Sequence, residues 1–197
     1  LIYFKGHAKA TYMSDGSTVE NAVNNLKQTI FNTNKIFYET IDNSILTPHA
    51  DSVFGANIVS NTYENGIGII TFDADITTIG DNAFADCSSL TSISIPDSVT
   101  TIGRYAFNNC TGLTNVTLGN SVTTIDKYAF GGCIDITSIT IPDSVTKIGD
   151  RAFYNCYGLT SVTIGSGLTT IGENAFYYCT GLTNITADSN NGYYSND

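Results

Sequence analysis

Cys87, Cys110, Cys133, Cys156 and Cys179 are the residues whose type and spacing most suggest chemistry. They are all the cysteines of the chain, each closes the stretch Ala-Phe-x-x-Cys, and each follows the last by 23 residues. Such a row could be a metal ladder, a disulfide ladder, a set of reactive thiols or a packing element. Structural zinc needs ligand pairs brought together at C-x2-4-C spacing, and no such pair occurs. Disulfides compete more closely, since stacked strands lie ~4.8 Å apart, within the Cα separation that a disulfide tolerates. The odd count opposes full pairing, and so does a position on the side away from the strands, where a curved stack splays. Packing fits best: free cysteine is among the most buried residue types and acts as a small hydrophobe. Each cysteine follows a Phe by three residues, which in a helical turn sets both on one face.

The elements that position these residues recur with them. The units run 67–89, 90–112, 113–135, 136–158 and 159–181, with a sixth that begins at residue 182 and stops short. Leu90, Leu113, Ile136 and Leu159 are followed three and five residues on by Ile93 and Ile95, Val116 and Leu118, Ile139 and Ile141, Val162 and Ile164. Alternation with a period of two puts these side chains on one face of a short strand. Pro96-Asp97, Gly119-Asn120, Pro142-Asp143 and Gly165-Ser166 then supply a turn. A second apolar pair follows (Val99 and Ile102, Val122 and Ile125, Val145 and Ile148, Leu168 and Ile171). Gly80, Gly103, Gly149 and Gly172 come next, where a bend with positive φ is expected; Asp126 takes that place once. The Ala-Phe-x-x-Cys stretch is expected to close each coil as a short helical or 3-10 turn. A unit of this kind buries its apolar set only against its neighbours, which makes a solenoid.

The pattern "LTSISIPDSVTTIGRYAFNNC" resembles the BspA-like class of leucine-rich repeats of bacterial and some protist surface proteins. The resemblance covers 67 to about 186; Gly119, Gly165, Asp126 and Ala187 depart from it. It implies a leucine-rich-repeat solenoid of 23-residue repeats. A parallel β ribbon would form one face and short helical or 3-10 turns the other, behind an α+β N-terminal cap. It further implies an extracellular or cell-surface protein that binds macromolecules such as host matrix proteins or other cell-surface proteins, without catalysis.

Three regions are expected. Residues 1–66 form an N-terminal cap of a helix and short strands, 67–186 the solenoid of five full repeats and a partial sixth, and 187–197 a polar tail. The helix is read from Ser17 and Glu20, which fit a capping box, and from Val19, Ala22, Val23, Leu26, Ile30 and Phe31 at helical spacing. Residues 35–48 and 53–72 alternate like strands, and a similar stretch leads into the first repeat of BspA-like proteins. The polar tail either folds back as a minimal cap or marks a piece of a longer array, which is the favoured expectation.

Eight Lys+Arg against 18 Asp+Glu give a formal net charge of −10, the opposite of a nucleic-acid footprint and unsuited to anionic membranes. No apolar run reaches the ~18 residues of a membrane span. His7 and His49 stand apart from any nucleophile or carboxylate motif. Gly66 and Gly68 do not make a phosphate loop. Asp97 and Asp143 read as turn formers, and Asp73 with Asp75 could hold calcium only adventitiously. Sequons occur at Asn109, Asn115 and Asn184. No catalytic residue, cofactor or resident metal is expected.

Two faces remain as candidate binding surfaces. The outward strand positions form a ribbon of Ser92, Ser94, Asn115, Thr117, Ser138, Thr140, Ser161, Thr163, Asn184 and Thr186. It lacks the aromatic and Arg anchors common at interface hot spots. Tyr105, Tyr128, Tyr154, Tyr157, Tyr177 and Tyr178 form an aromatic rim beside Arg104, Lys127 and Arg151. The function expected is a secreted or surface-exposed module for adhesion or protein–protein binding. The alternatives are a carbohydrate-binding module of a glycan-capture system and a passive spacer in a longer surface protein.

Overall fold

The computed structural model describes residues 33–49 and 51–194. The helix expected from Ser17 to Phe31, His7 and the first 15 residues lie outside the described residues. The first element of the described residues is β1 (Lys35–Thr40). A single 3-10 turn at Asp51–Phe54 leads to β2 (Ile58–Glu64) and β3 (Ile67–Phe72). β2 and β3 form a hairpin closed by Asn65 and Gly66, both at positive φ (53° and 83°), the geometry a tight hairpin turn demands. β1 lies antiparallel between β3 and the first strand of the repeats.

From there the chain winds as stacked coils with two strands each. The longer strands are β5 (Leu90–Ser94), β7 (Asn115–Thr117), β9 (Ser138–Ile141), β11 (Ser161–Ile164) and β13 (Asn184–Ala187). Between them run two-residue strands β4 (Thr78–Ile79), β6 (Thr101–Ile102), β8 (Thr124–Ile125), β10 (Lys147–Ile148) and β12 (Thr170–Ile171). These short Thr-Ile pairs form an unbroken parallel ladder, β4-β6-β8-β10-β12. The longer strands form two blocks instead, β5-β7 on the antiparallel sheet and β9-β11-β13 by themselves. β3, which opens the first 23-residue unit, thus pairs antiparallel with β1 and β2, and the long-strand ladder begins at β5.

The Ala-Phe-x-x-Cys arcs are not helical. Ala83, Ala85 and Cys87 donate N–H bonds to carbonyls three residues back, on Gly80, Asn82 and Phe84 (3.2, 3.1 and 3.3 Å), as a 3-10 turn would. Asn82, Phe84 and Asp86 donate instead to Arg104, Ala106 and Asn108 of the next coil (2.9, 2.7 and 2.7 Å). Asn82 and Asp86 sit at φ 59°, so each turn reverses before a helix can propagate. The arc is a run of β-turns whose alternate N–H groups tie coil to coil. The same two positions are left-handed in every later unit, at Tyr105, Asn109, Tyr128, Gly132, Arg151, Asn155, Asn174 and Tyr178.

The glycines before the arc serve a different purpose from the one expected. Gly80, Gly103, Gly149 and Gly172 are not among the positive-φ residues. Gly80 lies against Val53 of the 3-10 turn and the other three against the preceding coil: a Cβ on Gly149 would stand 2.7 Å from Lys127 N, and one on Gly103 2.8 Å from Asp81 N. Close approach selects glycine here, and the left-handed bend falls two residues later.

The core is one column. Phe84, Phe107, Phe130 and Phe153 are fully buried, and with the half-buried Phe176 they stack at centroid distances of 5.3, 5.1, 5.4 and 5.2 Å. Ala83, Ala106, Ala129 and Ala152 are fully buried beside them. At the N-terminal end Phe54 extends the stack onto Phe72 and Phe84 (4.9 and 5.7 Å). Buried Tyr38 fills the space above Gly68, where a Cβ would collide with its ring. Its hydroxyl donates to Asn61 Oδ1 (2.8 Å) and accepts from Leu46 N (3.1 Å), and burial raises its pKa above the usual 10.0.

Candidate functional site

The cysteines belong to the core. Cys110, Cys133 and Cys156 are fully buried and Cys179 nearly so, while Cys87, at the start of the row, is half-buried. All five are free thiols. Cys110, Cys133, Cys156 and Cys179 donate S–H bonds to the carbonyls of Phe84, Phe107, Phe130 and Phe153 one coil back (3.0, 3.1, 3.1 and 3.0 Å). Each of these carbonyls also accepts the N–H of the cysteine three residues on, so the thiol fills space and adds a second bond to the arc of the preceding coil. Burial pushes the Cys87 thiol up to about 12 and the Cys133 thiol well above its ordinary value. The Cys179 thiol beside it, together with burial, raises Cys156. The same bond with Cys156 lowers Cys179, which is nearly buried, whereas a reactive cysteine needs a thiolate both stabilised and accessible.

The other polar candidates are also structural. Asp81, Asp97, Asp143 and Asp150 accept backbone N–H bonds from Arg104, Asn120, Ser166 and Glu173 of the next coil (2.7, 2.7, 2.7 and 3.0 Å). The Asp73 carboxylate is held by the Asn57 side chain and backbone N–H (2.8 and 2.9 Å), which lower its pKa. His49 Nε2 lies 2.7 Å from the Ala85 carbonyl, so that nitrogen carries the proton.

On the ribbon, Asn115, Thr117, Ser138, Thr140, Thr163 and Asn184 are exposed. Ser92, Ser94, Ser161 and Thr186 are half-buried, the first two because β1 lies alongside β5. The ribbon is interrupted: β7 and β9 are the one neighbouring pair in the described ribbon that no ladder joins. A depression of about 370 Å³ opens there, lined by Asn115, Thr117, Ser138 and Thr140 and floored by Val116 and Leu118. Sequence reading did not single out this place, although Asp135, where Gly112, Gly158 and Gly181 set the pattern, was a visible signal.

On the opposite side five of the six tyrosines make a row. Tyr105 stacks on Tyr128 (5.1 Å, 9°), Tyr128 meets Tyr154 edge-on (5.7 Å, 71°), and Tyr154 contacts Tyr177 and Tyr178 (6.0 and 5.8 Å). Tyr157, 48% exposed, stands outside these ring contacts. Lys127 Nζ and the Arg151 guanidinium each lie 5.9 Å from the Tyr128 ring, and Arg104 reaches Asp126 at 3.5 Å. Tyr177 and Tyr178 are each 50% exposed, and the Tyr178 hydroxyl pushes the Tyr177 phenol up from its usual 10.0. Tyr105, Tyr128, Arg151 and Tyr178 hold the left-handed backbone that the β-turns of the arc impose on every coil, a conformation unfavourable for bulky residues and met by Asn at Asn82, Asn109, Asn155 and Asn174.

Stacked 23-residue coils with a parallel ribbon and a Phe–Cys column define a leucine-rich-repeat solenoid. The chain belongs to the BspA-type leucine-rich-repeat family, whose sequence pattern, the BspA type Leucine rich repeat region, matches residues 77–197 in six copies. A leucine rich cell surface protein of Faecalibacterium prausnitzii is 38% identical, over 62% of this chain and 33% of its own, with a TM-score of 0.58. A leucine-rich repeat protein of Bacteroides ovatus is 30% identical over 67% and 36%, with a TM-score of 0.53. The T. pallidum Leucine Rich Repeat protein is 26% identical over 57% and 64%, with a TM-score of 0.54. The chain therefore spans about a third of the length of the first two. No curated protein matches it. Among the described residues, no helix is long and apolar enough to cross a membrane.

Proposed function

We propose that this chain is a non-catalytic, surface-exposed module for adhesion or protein–protein binding, with an extracellular protein as its partner and the tyrosine row as the contact face. In this reading β1–β3 close the N-terminal end of the stack. One observation carries the choice of face: half-exposed tyrosines flanked by Arg and Lys run across successive coils, three of them on left-handed backbone. Tyr and Arg dominate interface hot spots, and the left-handed places of the arc are filled by Asn at Asn82 and Asn174, so the fold itself does not call for a bulky ring there. The kinship with a bacterial cell surface protein supports the setting. A glycan platform is the second reading and fits less well. Sugar faces stack on flat surfaces, whereas Tyr128–Tyr154 and Tyr154–Tyr178 cross at 71° and 74°.

The test is binding of the whole chain to immobilised extracellular-matrix proteins and to a glycan array, with Tyr105→Ser, Tyr128→Ser and Tyr178→Ser compared singly. Protein binding that falls at least about tenfold per hot-spot tyrosine supports the reading. Glycan binding alone replaces it with the second reading, and silence on both surfaces favours a spacer.

A further inference from the structure

The ribbon is open at one junction, and its cause can be read residue by residue. Gly112, Gly158 and Gly181 each precede a long strand and lie against a carbonyl of the preceding coil. A Cβ on Gly112 would stand 2.5 Å from Ser88 O, one on Gly181 2.7 Å from Tyr157 O, and one on Gly158 would meet Ile134 O closer still. The same position before β9 is Asp135. Its side chain cannot occupy that contact, so the coil must stand away from Thr111 at this point. At the other end of β9, Pro142 has no N–H. In the next two coils the same position, Gly165 and Asp188, donates to Ile141 and Ile164 (2.9 and 2.8 Å).

The consequences are visible along the whole junction. Thr114, Thr160 and Thr183 donate N–H bonds to Thr91, Thr137 and Thr160 one coil back (2.9, 2.8 and 3.0 Å), and their hydroxyls reach the same carbonyls. Thr137 makes neither bond to Thr114. Val116 is half-buried, whereas its counterparts Ile93, Ile139 and Val162 are at most 3% exposed. On the far sides of the same coils the stack stays shut: Gly149 N bonds Ile125 O (2.7 Å) and Phe130 N bonds Ala152 O (2.8 Å). The opening is therefore a wedge-shaped cleft, hinged at β8–β10.

We propose that Asp135 and Pro142 hold this cleft open as a binding site for an extended peptide segment, taken up mainly through its main chain. The inference deepens the protein-binding reading and rests on it, while assigning a site away from the tyrosines. The facing edges of β7 and β9 carry N–H and C=O groups that no ladder pairs, and a peptide backbone that spreads the wedge about its β8–β10 hinge to two strand spacings, ~9.6 Å, can bond both edges. Asn115, Thr117, Ser138 and Thr140 are short and uncharged, so they leave that backbone within reach and add no charge selection. Val116 and Leu118 offer a shallow apolar floor for alternate small side chains. The cleft contains no aromatic ring on which a sugar could stack, and no basic group for an anion.

Asp135→Gly restores the glycine of the other junctions and should close the cleft with the fold intact. Hydrogen exchange on the whole free chain tests the opening: amides of 137–141, which face the open junction, exchange faster than those of 160–164 in the same places one coil on, and Asp135→Gly slows them to match. Slow exchange at this junction in the unaltered chain overturns the wedge. A displayed library of random 12-residue peptides, selected on the unaltered chain and counter-selected on Asp135→Gly, then tests the site. Selected peptides should bind Asp135→Gly and Ser138→Tyr, which plugs the cleft from an exposed position, at least about tenfold more weakly. N-methylation at alternate residues of the peptide should weaken binding similarly. Peptides that bind both variants undiminished, or no peptide that distinguishes them, overturn the site. Matrix-protein binding that survives in Asp135→Gly in that case leaves the tyrosine face standing.

Discussion

Phe130→Ala probes the column at its most constrained point. The ring is fully buried between Phe107 and Phe153, stacked at 5.1 and 5.4 Å with interplanar angles of 5° and 7°. Its coil cannot collapse into the void, because Phe107, Phe130 and Asn109 N–H groups fix the spacing between arcs (2.7, 2.8 and 2.7 Å). The expected loss is ~3–5 kcal/mol, the upper half of the large-to-small range. Phe176 has one stacked ring neighbour, at 5.2 Å, and is only half-buried, so Phe176→Ala should cost about half as much. Urea unfolding followed by far-ultraviolet circular dichroism reads both. In a nearest-neighbour stack the central variant can also split the transition in two, as the array parts at the weakened interface. Equal losses for the two variants, or a loss below ~1 kcal/mol for Phe130→Ala, would refute the reasoning that this column carries the fold.

Other outcomes are expected from the same geometry. Gly149→Ala should lose ~1–3 kcal/mol through overpacking against Lys127 N and Asp126, whereas Gly66→Ala, with open space around it at φ 83°, should lose only the ~1–2 kcal/mol of left-handed strain; thermal melts distinguish them. Tyr105→Asn should leave stability within ~1 kcal/mol, because relief of left-handed strain offsets the lost Tyr128 stacking. Asp42 and Asp73 have pKa values lowered from 3.8 by hydrogen bonds from Ser44 and Asn57. Their contribution is therefore fully present above 3.8 and lost as the pH falls through their folded values. Titration of the two carboxyl resonances by NMR should place both midpoints below 3.8, and midpoints at or above it would contradict the assigned bonds.

The repeat was legible because every unit carries the same apolar register: Leu90, Ile93 and Ile95 alternate as a strand must, and Phe and Cys recur at one step. The arc is not legible in the sequence, because Phe and Cys three apart suit a helical turn and a pair of β-turns equally. What separates them is the left-handed residue at Asn82 and Asp86, and its successors Tyr105, Tyr128 and Arg151 are not residue types that announce positive φ. The role of the glycines before the arc is hidden for a related reason: sequence shows glycine but not the neighbouring backbone it must clear. Ring order within the tyrosine row was equally hidden, since Tyr105 and Tyr154 occupy different positions of their units and meet only through Tyr128. The open junction could have been found, as Asp135 breaks a glycine series, but only stacking turns that substitution into a gap.

Native-state thiol labelling tests most directly whether the residues that look chemical are core while binding is left to the outer faces. A time course with a small alkylating reagent, resolved by peptide mass spectrometry, should label half-buried Cys87 first, and Cys110, Cys133 and Cys156 only at the rate of unfolding. All five should label at once in denaturant. Rapid, equal labelling of the five cysteines in the native protein, or their recovery as disulfides, would contradict the account.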